Sequence, residues 1–118
     1  MIKFAIPGTL PGWNQANKGH WAKRAKLKRE IEEYIGWIIK PVRYQPLQCP
    51  IRIDIKFYEP NRKRDIDNVK AGTKFILDAL VKMRVIPDDG QKYVSDVTSD
   101  VLVDREKPRV EVEIKEAD

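Results

Sequence analysis

Between Ile51 and Phe57 the chain alternates without interruption: Ile51, Ile53, Ile55 and Phe57 are apolar, while Arg52, Asp54 and Lys56 are charged. Successive side chains of a β-strand point to opposite faces, so this pattern describes a strand with one face buried and the other in water. A sheet that is wet on one side needs a cover on the other, and the flanking sequence has to supply it.

The flanks supply helices. Ile2, Phe4 and Ile6 alternate with Lys3 and Ala5 and predict a short first strand that Pro7 ends. Gly8 to Gly12, with Pro11, is a loop that carries Trp13 and Asn14. From about Asn17 to Lys40 the residues favour a helix, with Leu27, Ile31, Tyr34, Ile35 and Ile38 as its apolar stripe. The stripe is clean only from Leu27 onward, so the earlier turns, with Trp21 among basic residues, reach beyond the core. Core packing is the expectation for Trp13 and Trp21, with stacking on nucleic-acid bases as the alternative. Pro41, Pro46 and Pro50 bound a linker within one domain.

A second helix is predicted from about Asn68 to Met83, burying Val69, Ile76, Ala79, Leu80 and Met83, with Gly72 as its weak point. Pro87-Asp88-Asp89-Gly90 reads as a turn. Strands follow near residues 93–103 and 109–114, the latter alternating Val110, Val112 and Ile114 with Glu111 and Glu113. The order βαβαββ predicts a single α+β domain over residues 1–118, a small mixed sheet with two helices packed on it.

A hydrophobic fraction of 42% beside 35% charged residues fits a soluble globular chain and excludes disorder. No apolar run approaches the roughly 20 residues of a membrane span, and the N-terminus lacks the apolar stretch of a signal peptide. Cys49 is the only cysteine, which suits a reducing cytoplasm and reads as a small packing residue. The net charge of +5 is unevenly spread. Lys18, Lys23, Arg24, Lys26, Lys28 and Arg29 arrive with no acid between them, and Arg62, Lys63 and Arg64 form a second cluster. Such segregation suits a phosphate backbone; the alternative is a solvated helix face and a basic loop.

Directly behind the second cluster stand Asp65 and Asp67. In extended backbone, residues i and i+2 share a face, so the two carboxylates can converge on a hard cation such as Mg²⁺ beside a polyanion-binding surface. A bound Mg²⁺ would supply what phosphodiester hydrolysis needs, and Asp88 or Asp89 is the candidate third carboxylate. The structural alternatives are that Asp67 caps the second helix and that Asp65 pairs with Arg62 or Arg64. An EF-hand is excluded, because Val69 and Lys70 occupy a liganding position and the required glycine. Lys74 lies two helical turns beyond Asp67, placing both within about 20° on one helix face. There it can stabilise charge on a phosphate, or simply pair with Asp78 at i+4. His20, the only histidine, is expected to be a surface or packing residue rather than a catalyst.

Arg64-Asp65-Ile66-Asp67-Asn68, then Lys74 with Phe75 to Leu80, then Ile86-Pro87-Asp88-Asp89, resembles the RusA family of Holliday-junction resolvases. The segment from Pro7 to Trp21, with Asn14 and His20-Trp21, resembles phage and Gram-positive members. The resemblance implies a homodimeric Mg²⁺-dependent endodeoxyribonuclease, with Mn²⁺ as a substitute, that nicks two strands of a four-way DNA junction symmetrically. It implies a cytoplasmic enzyme, bacterial or phage-encoded. Matched by motif, Asp65, Asp67 and Asp89 would bind the metal and Lys74 would assist. Lys70 is the alternative lysine, because the stretch before Lys74 is about one turn longer than in the shortest members, and Asp88 is the alternative to Asp89. The implied DNA contacts are Asn14, His20, Lys23, Arg24, Arg62, Lys63, Arg64 and Lys70. Two other functions remain open: a noncatalytic basic DNA-binding module, and a metal nuclease for other branched or single-stranded nucleic acid.

Overall fold

The structure, a computed structural model, describes residues 1–12, 19–44 and 47–117. Trp13, Asn14, Lys18, Pro46 and the expected helix start near Asn17 lie outside the described residues. The elements are β1 (Ile2–Pro7), α1 (Trp21–Ile39), β2 (Ile51–Glu59), α2 (Ile66–Lys70), α3 (Thr73–Lys82), β3 (Val94–Val103) and β4 (Arg109–Glu116).

The strands form one mixed sheet in the order β1-β4-β2-β3. β4, the last strand in sequence, is interior: it runs antiparallel to β1 through Ile2↔Ile114 and antiparallel to β2 through Ile53↔Ile114. β3 runs parallel to β2 on the far edge, reached by the crossover through α2 and α3. The alternation in β2 holds as read, since Ile51, Ile53, Ile55 and Phe57 are buried while Arg52 is exposed. Their face meets Ile2, Ile6, Ile35, Ile39, Ile76, Leu80, Val110, Val112 and Ile114 in one core. Each such side chain, fully removed from water, stabilises the fold by about 1.5–3 kcal/mol before the entropy of ordering it is subtracted.

Four local expectations are corrected. The first helix begins at Trp21, because Gly19 sits at φ +87°, outside helical space, and His20 takes the N-cap position with Nδ1 accepting from Ala22 N at 3.3 Å. Trp21 is not core; it is 67% exposed and leans on the His20 ring. Tyr34 is likewise exposed, its hydroxyl donating to the Pro7 carbonyl, and Ile39 takes the buried place at the end of the stripe. Cys49 is exposed instead of packed.

The helix expected over 68–83 is two helices, α2 and α3, joined by a tight turn at Ala71 and Gly72. Gly72 N bonds back to Val69 O and Lys74 N to Ala71 O, three residues apart rather than four. The turn is pressed close onto the core: a Cβ on Gly72 would come within 3.1 Å of Leu10 Cβ and 3.3 Å of Phe57 Cε1, so its neighbours would have to give by a few tenths of an ångström. Among the described residues no helix is long and apolar enough to cross a membrane.

Candidate nuclease site

The site grows from the end of β2. Its buried register, Ile51 to Phe57, continues to Glu59, an acid that is only 4% exposed. A carboxylate taken out of water needs a partner, and Arg64 returns to it through a bidentate pair: Nε to Oε1 at 2.8 Å and Nη2 to Oε2 at 3.0 Å. The same guanidinium donates from Nη1 to the Leu10 carbonyl at 2.9 Å, fastening the loop after β1 onto the loop after β2. Leu10 packs under Gly72, and Gly12 lies so close to the Asn68 side chain that a Cβ would not fit. Arg64, read as a DNA contact, is therefore engaged inside the fold. Glu59 was missed by sequence reasoning, although an acid at a buried alternation position was its signal.

Asp65 and Asp67 follow immediately. Asp65 is the N-cap residue of α2, yet its side chain makes no capping bond, and neither Arg62 nor Arg64 pairs with it among the described residues. Asp67 accepts one bond, from Asn68 N to Oδ1 at 2.9 Å, within the first turn. Both carboxylates are exposed and line a groove of about 710 Å³ with Arg62 and Ile66 on one wall and Val101, Leu102 and Val103 on the other. That groove lies beyond the carboxyl ends of the parallel pair β2 and β3, where open sheets with crossover helices offer room for ligands.

Lys74 stands in the first turn of α3. Its Nζ lies 3.0 Å from Asp78 Oδ1 and 3.1 Å from Asp89 Oδ2. The hydrogen bond that Lys74 donates to Asp78, then the one it donates to Asp89, raises the Lys74 pKa above the ordinary lysine value; the bond from Lys74 lowers that of Asp89. Asp88 points elsewhere, its Oδ1 accepting from Asp89 N at 2.8 Å, so Asp89 is the member of the pair that meets Lys74. Asp78 also faces Lys28 of α1, Oδ2 to Nζ 3.4 Å, which joins the two helices.

Asp65 and Asp67 thus share one groove, and Lys74 and Asp89 share one contact. The described residues do not gather three acids, histidines or cysteines closely enough to enclose a metal ion. The single-face argument linking Asp67 to Lys74 fails physically, because the turn at Gly72 interrupts the helix on which it was based. The donor set nonetheless suits Mg²⁺, which takes one or two hard carboxylates and fills its remaining positions with water and substrate oxygens.

The basic residues divide by partner. Lys26 and Lys28 have acids on their own helix, Glu30 and Glu32. Lys23, Arg24, Arg29, Arg62 and Lys63 are exposed and form no ion pair among the described residues. Lys70 is half-buried in the last turn of α2, and Asn14 lies outside the described residues. The chain matches the family model for endodeoxyribonuclease RusA over residues 6–115. No curated protein matches it.

Proposed function

Because the chain belongs to the RusA family of endodeoxyribonucleases, we propose that it resolves four-way DNA junctions by paired symmetric nicks in a Mg²⁺-dependent hydrolysis. The observation that carries this reading is the Asp65/Asp67 groove, two exposed carboxylates that form no ion pair among the described residues in a chain rich in lysine and arginine. A carboxylate pair serving only stability would be matched to a nearby guanidinium, as Glu59 is to Arg64.

In the proposed mechanism Asp65 and Asp67 hold the cation, with Asp89 as the third carboxylate of the set. Mg²⁺, or Mn²⁺ in its place, would supply phosphate polarisation and an acidified water when bound. Arg62 and Lys63, with Lys23 and Arg24 of α1, grip the phosphate backbone and give affinity without base readout. Lys74 contributes positive charge where negative charge develops on the scissile phosphate. Two symmetric cuts call for two sites related by a twofold axis, hence a homodimer. Such a substrate places the enzyme in the cytoplasm, bacterial or phage-encoded.

The test is a single cleavage assay on four-way junction, flap, linear duplex and single-stranded DNA, with Mg²⁺, Mn²⁺ or chelator. Metal-dependent, paired cutting confined to the junction is expected. Equal cutting of flaps or single strands would reassign the substrate, and salt-sensitive binding without any cleavage would reduce the protein to a binding module.

A further inference from the structure

Asp78 differs from an ordinary surface ion-pair partner. Its side chain is 18% exposed while that of Lys74, which it holds at 3.0 Å, is 66% exposed. Its second oxygen, Oδ2, is shut off from solvent and has no hydrogen-bond partner among the described residues, although Lys28 Nζ approaches to 3.4 Å from α1. The Lys26–Glu30 pair on α1 is the contrast within the same molecule: 3.9 Å apart, 72% and 58% exposed, and confined to one helix. A carboxylate sunk between two helices is fixed; a lysine side chain on its own is a flexible point charge.

We infer that Asp78 is the positioning residue for Lys74. The inference rests on the nuclease reading above and deepens it. Lys74 has two anchors, and one of them, Asp89, is assigned to the cation-binding set. Whenever Asp89 turns its oxygens to another cation, Asp78 alone keeps the ammonium at the site. The i,i+4 spacing along α3 keeps the two side chains on one helix face, and Lys28 offsets the cost of burying the second oxygen. Lys28 also connects this anchor to the helix that carries Lys23 and Arg24, the proposed backbone grip.

A double-mutant cycle tests this, with steady-state nicking of a four-way junction in Mg²⁺ by the wild type, Asp78→Asn, Lys74→Ala and the double variant. Asp78→Asn is expected to lower kcat about tenfold with KM for the junction and the melting temperature little changed. In the Lys74→Ala background it is expected to cost nothing further, because a residue acting through another has no effect once that other is gone. Asp78→Glu, which keeps the charge, is expected to recover part of the rate. Full additivity in the cycle, an unchanged kcat in Asp78→Asn, or no recovery by glutamate would each overturn the inference alone. Lys74→Ala cutting at the wild-type rate would overturn it together with the assigned role of Lys74. Should Asp78→Asn fail to fold, the same cycle run with Asp78→Glu applies the same additivity criterion.

Discussion

Arg64 and Asp65 are neighbours in the chain and opposites in circumstance. Arg64 commits three donors to Glu59 and Leu10, in a pair whose acid is buried, and ties two loops to the core. Asp65, one residue on, lines a groove and forms no ion pair among the described residues. The first arrangement is closed: its charges cancel, and its loss would leave a buried carboxylate alone. The second is open, two exposed negative groups that line one groove and form no ion pair among the described residues. The difference separates charge that holds this fold together from charge that it keeps available.

The largest expected effect falls on the closed side. Arg64→Ala should destabilise the protein by about 3 kcal/mol, because it strands Glu59 in the core and unfastens Leu10. Urea unfolding measures this, and a loss below about 1 kcal/mol would place Arg64 with the open charges. Asp67→Asn should do the reverse: junction binding and unfolding free energy within about 0.5 kcal/mol of wild type, but Mg²⁺-dependent nicking reduced at least about 100-fold. A variant that cuts at near the wild-type rate would break the assignment of the groove. A smaller effect belongs to the unpaired cations. Lys63→Ala should weaken junction binding on any sequence and reduce the slope of log K against log salt by about 0.9. The smallest concerns a half-buried pair, Asp104 with Arg109 at 2.7 Å. The hydrogen bond from Arg109 holds the Asp104 pKa below the ordinary 3.8, so its contribution is present above that pH and fades as the solution acidifies through the lowered value. Asp104→Asn should therefore flatten only the acid limb of a stability–pH curve, below about pH 4.

The alternation from Ile51 to Phe57 was legible because a half-wet strand imposes a period of two whatever surrounds it, and the sheet with its helices followed from it. Gly72 was visible as a weak point, but not as a break. Leu10, sixty-two positions earlier in the chain, packs closely on the residue at the break, and no local pattern contains that contact. The same holds for Arg64. The three basic residues Arg62, Lys63 and Arg64 look alike in sequence, and only the burial of Glu59 selects one of them as a structural clamp. The carboxylates were legible as neighbours, but the extended backbone that the i, i+2 argument supposed ends at Asp65, because Asp67 lies within α2. The partnership of Asp89 with Lys74 was not legible, because the loop that carries Asp89 doubles back along α3 through tertiary packing around Ile86.

The place of β4 has a consequence for how the molecule comes into being. β4 stands between β1 and β2, so residues 109–116 are the piece on which the sheet closes. Until they are available, β1 lacks the one strand it pairs with among the described residues, and the pairing of Ile2 with Ile114 must close the long loop between them. Completion of this sheet is thereby postponed until residues 109–116 are made and slowed by distant contacts. A chain stopped at residue 108 would not be a trimmed nuclease but an isolated strand beside an unfinished parallel pair.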